Sequence, residues 1–132
     1  MSLRIAPKSD PKQEKKVAFA SLATLMPDGT PQVTPIWFDY SPGVIHLNTA
    51  AGRVKAQNMQ EGARIALSIM DPDNPYRYVQ IRGHVVKTTR EGADRQIDAI
   101  SHKYLGKDYP FRRPGEERIS VDVAIDKASA SG

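Results

Sequence analysis

The alternation of apolar and polar residues along the chain predicts six β-strands. Each strand signal is a short run rich in β-branched, aromatic or small residues, and most runs are bounded by Pro, Gly, Asp or Ser. The predicted strands span residues 17–25, 32–40, 44–49, 63–70, 78–86 and 119–125. The first three follow one another through short turns, which favours an antiparallel meander.

Two segments change from the strand period to the helical period. Residues 52–60 predict a short helix, and residues 91–105 predict a longer one. In the longer segment Ala93, Ile97, Ile100 and Tyr104 fall on one helix face. A turn within residues 1–16 would make a third helix. Short antiparallel strands with a crossing helix favour a mainly β (α+β) architecture, a closed or split barrel.

Pro35 and Gly83 interrupt predicted strands. Pro35 removes one ladder donor, so its strand should lie at a sheet edge or have a broken pairing, and free backbone groups there could bond a planar heterocycle. Trp37 would then form a wall for such a ring, or it is an ordinary core aromatic. Gly83 predicts a bulge or a bend that curves its strand.

The chain length fits one domain. The 132 residues are 39% hydrophobic and 26% charged, as expected for a single globular unit. We assign residues 1–16 to a polar lead-in and residues 17–132 to the domain. A domain of this size cannot enclose a deep site alone, so a site shared between the subunits of a homodimer is expected.

Charge and cysteine content exclude several functions. The net charge is +4, and residues 1–16 supply most of the surplus, which argues against a nucleic-acid-binding surface on the domain. There is no cysteine, so disulfides and thiol nucleophiles are excluded. No apolar run reaches the length of a membrane span. We therefore expect a cytoplasmic protein that binds neither nucleic acid nor membrane.

The candidate anion site lies at residues 48–58, where a strand ends in small residues and a helix begins. Free backbone N–H groups together with Thr49, Arg53 and Lys55 would hold a phosphate. The alternative is that Arg53 and Lys55 lie on a solvated helix face. The same choice applies to Arg112 and Arg113, which either reach an anion or form a solvated pair.

Other catalytic signatures are weak. His46, His84 and His102 lie on two strands and a helix without metal-ligand spacing, so no metal site is expected. The sequence has no Gly-x-Ser-x-Gly elbow, P-loop or Gly-x-Gly-x-x-Gly fingerprint. His84 is a candidate proton donor, although a structural histidine is the simpler interpretation.

Taken in order, several segments resemble the pyridoxamine-phosphate-oxidase-like split barrels that bind flavin or deazaflavin. The shared segments are residues 20–25, 27–31, 34–38 and 48–55. Residues 71–78, 82–83, 103–106 and 108–116 resemble the branch that uses the deazaflavin coenzyme F420. The likeness covers about residues 17–126 and implies a six-stranded antiparallel split barrel, two or three short helices and a homodimer.

The resemblance also implies a site. In that family the cofactor lies between two subunits, with its phosphate at the strand-to-helix turn and its ring against the second strand. The implied phosphate-side residues are Thr49, Arg53, Lys55 and Asn58. The implied ring platform is Gln32, Thr34, Pro35, Ile36 and Trp37. Tyr78 occupies a position where oxidase relatives place a polar cofactor contact.

The implied function is hydride transfer from reduced F420 to a small electron-poor molecule, with no indispensable catalytic side chain. The alternatives are an FMN-binding flavoprotein of the same family and a non-catalytic flavin- or deazaflavin-binding protein. The last eight residues lack the Arg-x-His segment of true pyridoxamine phosphate oxidases. The resemblance therefore does not imply oxidation of vitamin B6.

Overall fold

A computed structural model describes residues 17–131, which form seven strands and two helices. The lead-in assigned to residues 1–16 lies outside the described residues. The strands are β1 Ala20–Leu25, β2 Pro31–Ile36, β3 Asp39–Ser41, β4 Val44–Ala50, β5 Arg64–Asp71, β6 Asn74–Thr89 and β7 Arg118–Ser131. The helices are α1 Val54–Asn58 and α2 Ala93–Leu105.

All seven strands belong to one antiparallel sheet with the order β2-β1-β5-β6-β7-β4-β3. The mainly β prediction is confirmed, but the count of six strands is wrong. The segment predicted as one strand over residues 32–40 breaks at Trp37 and Phe38 into β2 and β3. These two strands lie at opposite edges of the sheet. The meander prediction therefore fails, and within residues 17–131 the sheet is not closed into a barrel.

The core lies on the inner face of this curved sheet. It contains Ile45, Leu47, Ile69, Ile81 and Val123, which are almost fully buried. Because alternate residues of a strand point to opposite faces, their neighbours form the outer face. This pattern is why sequence periodicity located most of the strands.

Tyr104 on α2 forms a hydrogen bond with the segment that connects β2 to β3. Its hydroxyl accepts from the Phe38 N–H at 3.2 Å and donates to the Ala18 carbonyl at 2.7 Å. Burial raises the pKa of Tyr104 to about 12, so the hydroxyl stays protonated and keeps donating. Ala93, Ile97 and Ile100 are buried along the same helix, which confirms the predicted apolar face.

Both predicted strand irregularities are confirmed. Pro35 lies on the edge strand β2, where a missing ladder donor costs least. The pairing of β6 with β7 shifts register between Arg82 and Gly83. No helix within residues 17–131 is long and apolar enough to cross a membrane.

Candidate functional site

A cleft of about 200 Å³ opens where edge strand β2, the end of β4 and the start of β7 meet the two helices. Its walls combine basic, aromatic and small polar side chains. The lining residues are Phe19, Pro35, Ile36, Trp37, Asn48, Thr49, Arg53, Lys55, Ile97, Tyr109, Phe111 and Arg118.

One end of the cleft is basic. Lys55 lies half-buried on α1, and its Nζ donates to Thr34 Oγ1 at 3.3 Å and to the Pro35 carbonyl at 3.4 Å. Burial lowers the pKa of Lys55, and the positive charges of Arg53 and Arg118 lower it further. These three positive charges repel one another, and an anion bound among them would reduce that repulsion. Because α1 has only five residues, an anion held here would depend on side chains rather than on the helix terminus.

Thr49 contributes a buried, unpaired hydroxyl. The residue is 3% exposed, lines the cleft, and its Oγ1 has no hydrogen-bond partner among the described residues. A buried polar group without a partner is costly and uncommon. A ligand bearing hydrogen-bonding oxygens or nitrogens would supply the missing partner.

Arg118 is a cleft residue that the sequence analysis did not select. It begins β7, is 5% exposed, and its Nη1 donates to Glu116 Oε1 at 2.9 Å. Its Nε donates to Asn48 Oδ1 at 2.8 Å, and its guanidinium carbon lies 5.0 Å from the Tyr109 ring centroid. These contacts fix the Arg118 guanidinium beside the cleft, where Glu116 balances its charge. The only sequence signal was an arginine at the start of a strand, which is typical of a solvated residue.

Another part of the cleft lining is an aromatic wall. The Trp37 ring stacks on Tyr104 with centroids 4.9 Å apart and meets the Tyr109 ring edge-on. Tyr109 in turn contacts Phe111 edge-to-face. Phe111 is 61% exposed, so it presents an apolar face at the mouth of the cleft. Such a surface suits a planar ring.

The loop that carries Tyr109 and Phe111 is held against α2. Asp98 accepts hydrogen bonds from Arg112 Nη1 and from the Tyr109 N–H, each at 2.9 Å. The Arg112 hydrogen bond, followed by that from Tyr109, lowers the pKa of the Asp98 carboxyl. Arg112 therefore serves to position the loop, and residues 109–115 gain a role as the support of the aromatic wall.

The sequence profile of the pyridoxamine 5'-phosphate oxidase family matches residues 12–130. The chain belongs to this family. The match confirms the resemblance on which the site residues were selected.

Solved structures extend the comparison. An F420 reductase is 28% identical with a TM-score of 0.75, covering 93% of this chain and 98% of its own. A conserved hypothetical protein from Mycobacterium tuberculosis is 21% identical with a TM-score of 0.67, and the match covers 99% of this chain and 89% of that protein. An FAD and heme binding protein from Mycobacterium smegmatis is 16% identical with a TM-score of 0.61, and the match covers 89% of this chain and 66% of that protein. The last two show the fold alone. None of the curated proteins matches the chain.

In this family member the cleft gathers most of the residues selected from the sequence. It brings together Pro35, Ile36, Trp37, Thr49, Arg53 and Lys55, with Thr34 bonded to Lys55. Thr34 and three others, Gln32, Asn58 and Tyr78, lie outside its lining. Gln32 accepts from the Thr24 hydroxyl, and Asn58 donates to that hydroxyl and to Met26 Sδ. Both side chains therefore hold α1 and β2 to β1.

Tyr78 does not line the cleft of its own chain. It pairs with Met70 on β5 and with Ser131 at the end of β7, whereas the cleft lies at the start of β7. His84 also lies outside the lining and contacts Asp126 through its Nδ1 at 2.9 Å. Neither Tyr78 nor His84 lines this chain's own cleft.

Proposed function

We propose that the protein is a homodimeric oxidoreductase that binds coenzyme F420 in this cleft and reduces a small electron-poor molecule. The observation that carries the proposal is a basic end and an aromatic wall in one cleft beside the unpaired Thr49 hydroxyl. A cofactor with a phosphate and a planar ring fits this donor set. The 28% identity with an F420 reductase supports F420 over other cofactors.

The chain's residues would bind and orient the cofactor. Arg53 and Lys55 would hold its phosphate, and Thr49 would donate to a polar atom of the cofactor. The backbone of Pro35 and Ile36 would bind the ring, and Trp37 would exclude water from it. Reduced F420, when bound, supplies the hydride. Protein groups then contribute position and electrostatics rather than a nucleophile.

Replacing Lys55 with alanine tests the phosphate assignment. A charge-assisted hydrogen bond contributes about 1.5–3 kcal/mol, so the dissociation constant for F420 should rise about 10- to 150-fold. Fluorescence titration of purified protein measures this change. FMN, titrated in parallel, tests the alternative cofactor, since it also carries a phosphate.

Lys87→Ala is the matched control, because Lys87 is an exposed lysine on β6 that does not line the cleft. Its affinity for F420 should equal that of the unaltered protein. If Lys55→Ala binds F420 as tightly as Lys87→Ala does, Lys55 belongs to a solvated helix face and the phosphate assignment is wrong.

An apolar outer face supports the homodimer. Leu25, Val33 and Met70 are 48%, 63% and 49% exposed, and the pairing of β2, β1 and β5 places them on the same outer side of the sheet. Tyr78 is the register partner of Met70 and so shares this face. A second copy seated here would cover the apolar residues and bring Tyr78 to the interface.

Light scattering at micromolar concentration should give twice the mass of one chain. Val33→Asp places a charge on the β2 side of the proposed interface and should shift the protein toward monomer, because an unpaired buried charge is costly. Leu105→Asp, an exposed leucine at the end of α2, should remain a dimer. A monomeric unaltered protein would contradict the shared site.

A further inference from the structure

A chain of three side chains crosses the edge of the sheet farthest from β2. Ser41 lies on β3, His46 on β4 and Asp122 on β7, and these strands are neighbours. The Ser41 Oγ is 2.7 Å from His46 Nε2, and His46 Nδ1 is 2.8 Å from Asp122 Oδ1. None of the three lines the cofactor cleft.

Strand register explains why the three side chains meet. His46 is the direct partner of Asp39 on β3 and of Asp122 on β7. Residues two apart on a strand share a face, so Ser41 lies on the same side as Asp39 and diagonal to His46. The arrangement is therefore set by backbone pairing rather than by long flexible side chains.

For a neutral imidazole beside an ionised carboxylate, the two hydrogen bonds fit one tautomer of His46. An ionised carboxylate only accepts, so the proton between His46 and Asp122 belongs to Nδ1. Nε2 then carries the lone pair and accepts from the Ser41 hydroxyl. This is the order of roles found in serine hydrolases, and such constellations are recognised by geometry rather than by sequence position.

The other two histidines provide an internal comparison. His84 contacts Asp126, and His102 contacts Asp108. Within residues 17–131 neither of them has a hydroxyl on its second ring nitrogen, whereas His46 does. Each of the three histidines therefore contacts an aspartate, and of the three only His46 also contacts a serine within the described residues.

We propose that Ser41, His46 and Asp122 form a second site that is acylated by, and hydrolyses, small activated carboxylic esters. The side chains of His46 and Asp122 are 27% and 33% exposed, and β3 is an edge strand, so a small ester can approach. The open position at a sheet edge favours short acyl groups over extended substrates.

The reaction balances without a cofactor. Ser41 Oγ forms a bond to the ester carbonyl carbon while its proton moves to His46 Nε2. The bond from that carbon to the leaving oxygen then breaks, and the leaving alcohol takes the proton from His46. Water repeats the sequence on the acyl-serine, which releases the carboxylic acid and restores the hydroxyl.

The test uses p-nitrophenyl acetate with the full chain, followed by peptide mass spectrometry to locate the acetyl group. We expect acetylation at Ser41 and release of p-nitrophenolate. General-base catalysis is worth about 100-fold or more, so Ser41→Ala and His46→Gln should each slow release at least about tenfold. Asp122→Asn should slow it because the tautomer is no longer fixed.

Ser68→Ala and His84→Gln are the matched controls: an exposed serine on β5 and the histidine of another His–Asp pair. Both should retain the full rate. In protein quenched with acid during the release of p-nitrophenolate, acetyl groups absent from Ser41, or equally abundant on Ser68, would overturn the proposal, as would an unchanged rate in His46→Gln. Mapping on the unaltered protein decides the question even if a variant does not fold, and it needs no bound cofactor.

Discussion

Arg118→Ala is expected to lower the free energy of unfolding by about 3–5 kcal/mol, because removing one partner of a buried ion pair leaves the other charge uncompensated. Arg118 is 5% exposed and Glu116 is 8% exposed at the side chain. The substitution also leaves Asn48 Oδ1 without its donor. Since a domain of this size is stable by about 5–15 kcal/mol, urea denaturation should show a large shift of the midpoint.

Two controls distinguish the cost of leaving the buried Glu116 charge unpaired from the cost of losing the Arg118 side chain. Arg90→Ala breaks an exposed pair with Glu117 and should cost about 1 kcal/mol or less. Glu116→Gln combined with Arg118→Met removes both charges and should cost less than Arg118→Ala alone. A midpoint for Arg118→Ala within error of that for Arg90→Ala would show that the pair is not buried as described.

Gly83→Ala is expected to destabilise the fold by about 3 kcal/mol, near the upper end for overpacking a core. A Cβ at this position would lie 2.3 Å from the Ala124 carbonyl oxygen and 2.9 Å from Val123 Cγ1. The first contact is with backbone, so it can be relieved only if β6 and β7 move apart. The unfolding midpoint in urea measures the loss.

Gly43→Ala is the comparison, because Gly43 has φ of +80° and nothing within 4 Å of the added Cβ. It should cost about 1 kcal/mol, from backbone conformation alone. Equal losses in the two variants would mean that β6 and β7 do not approach closely at Gly83.

Local chemistry predicted the edge strand, the bulge and the α2 face, since each depends on one residue or one period. Pro35 cannot donate to a ladder wherever it lies, and Gly83 is the residue that a close backbone approach requires. The break at Trp37 and Phe38 could not be predicted in this way. Both halves of the segment have strand composition, and their placement at opposite edges is decided by tertiary pairing.

The site was predicted unevenly for a related reason. Lys55, Arg53 and Thr49 cluster near one strand end, so sequence proximity brought them together. Arg118 and Tyr109 come from the far end of the chain and reach the cleft only through the pairing of β7 with β4 and the loop fixed by Asp98. The link between Ser41, His46 and Asp122 depends on register across three strands, which no spacing in the sequence reveals.

The most direct test of cofactor binding in the cleft is a titration of the purified, folded protein with F420, followed by fluorescence. We expect saturable binding of one F420 per chain, weakened in Lys55→Ala and retained in Lys87→Ala. Half-saturation should occur below about 0.1 mM, which corresponds to a binding free energy of about 5.5 kcal/mol. Absence of saturable F420 binding at that concentration by the folded protein would contradict the proposed function.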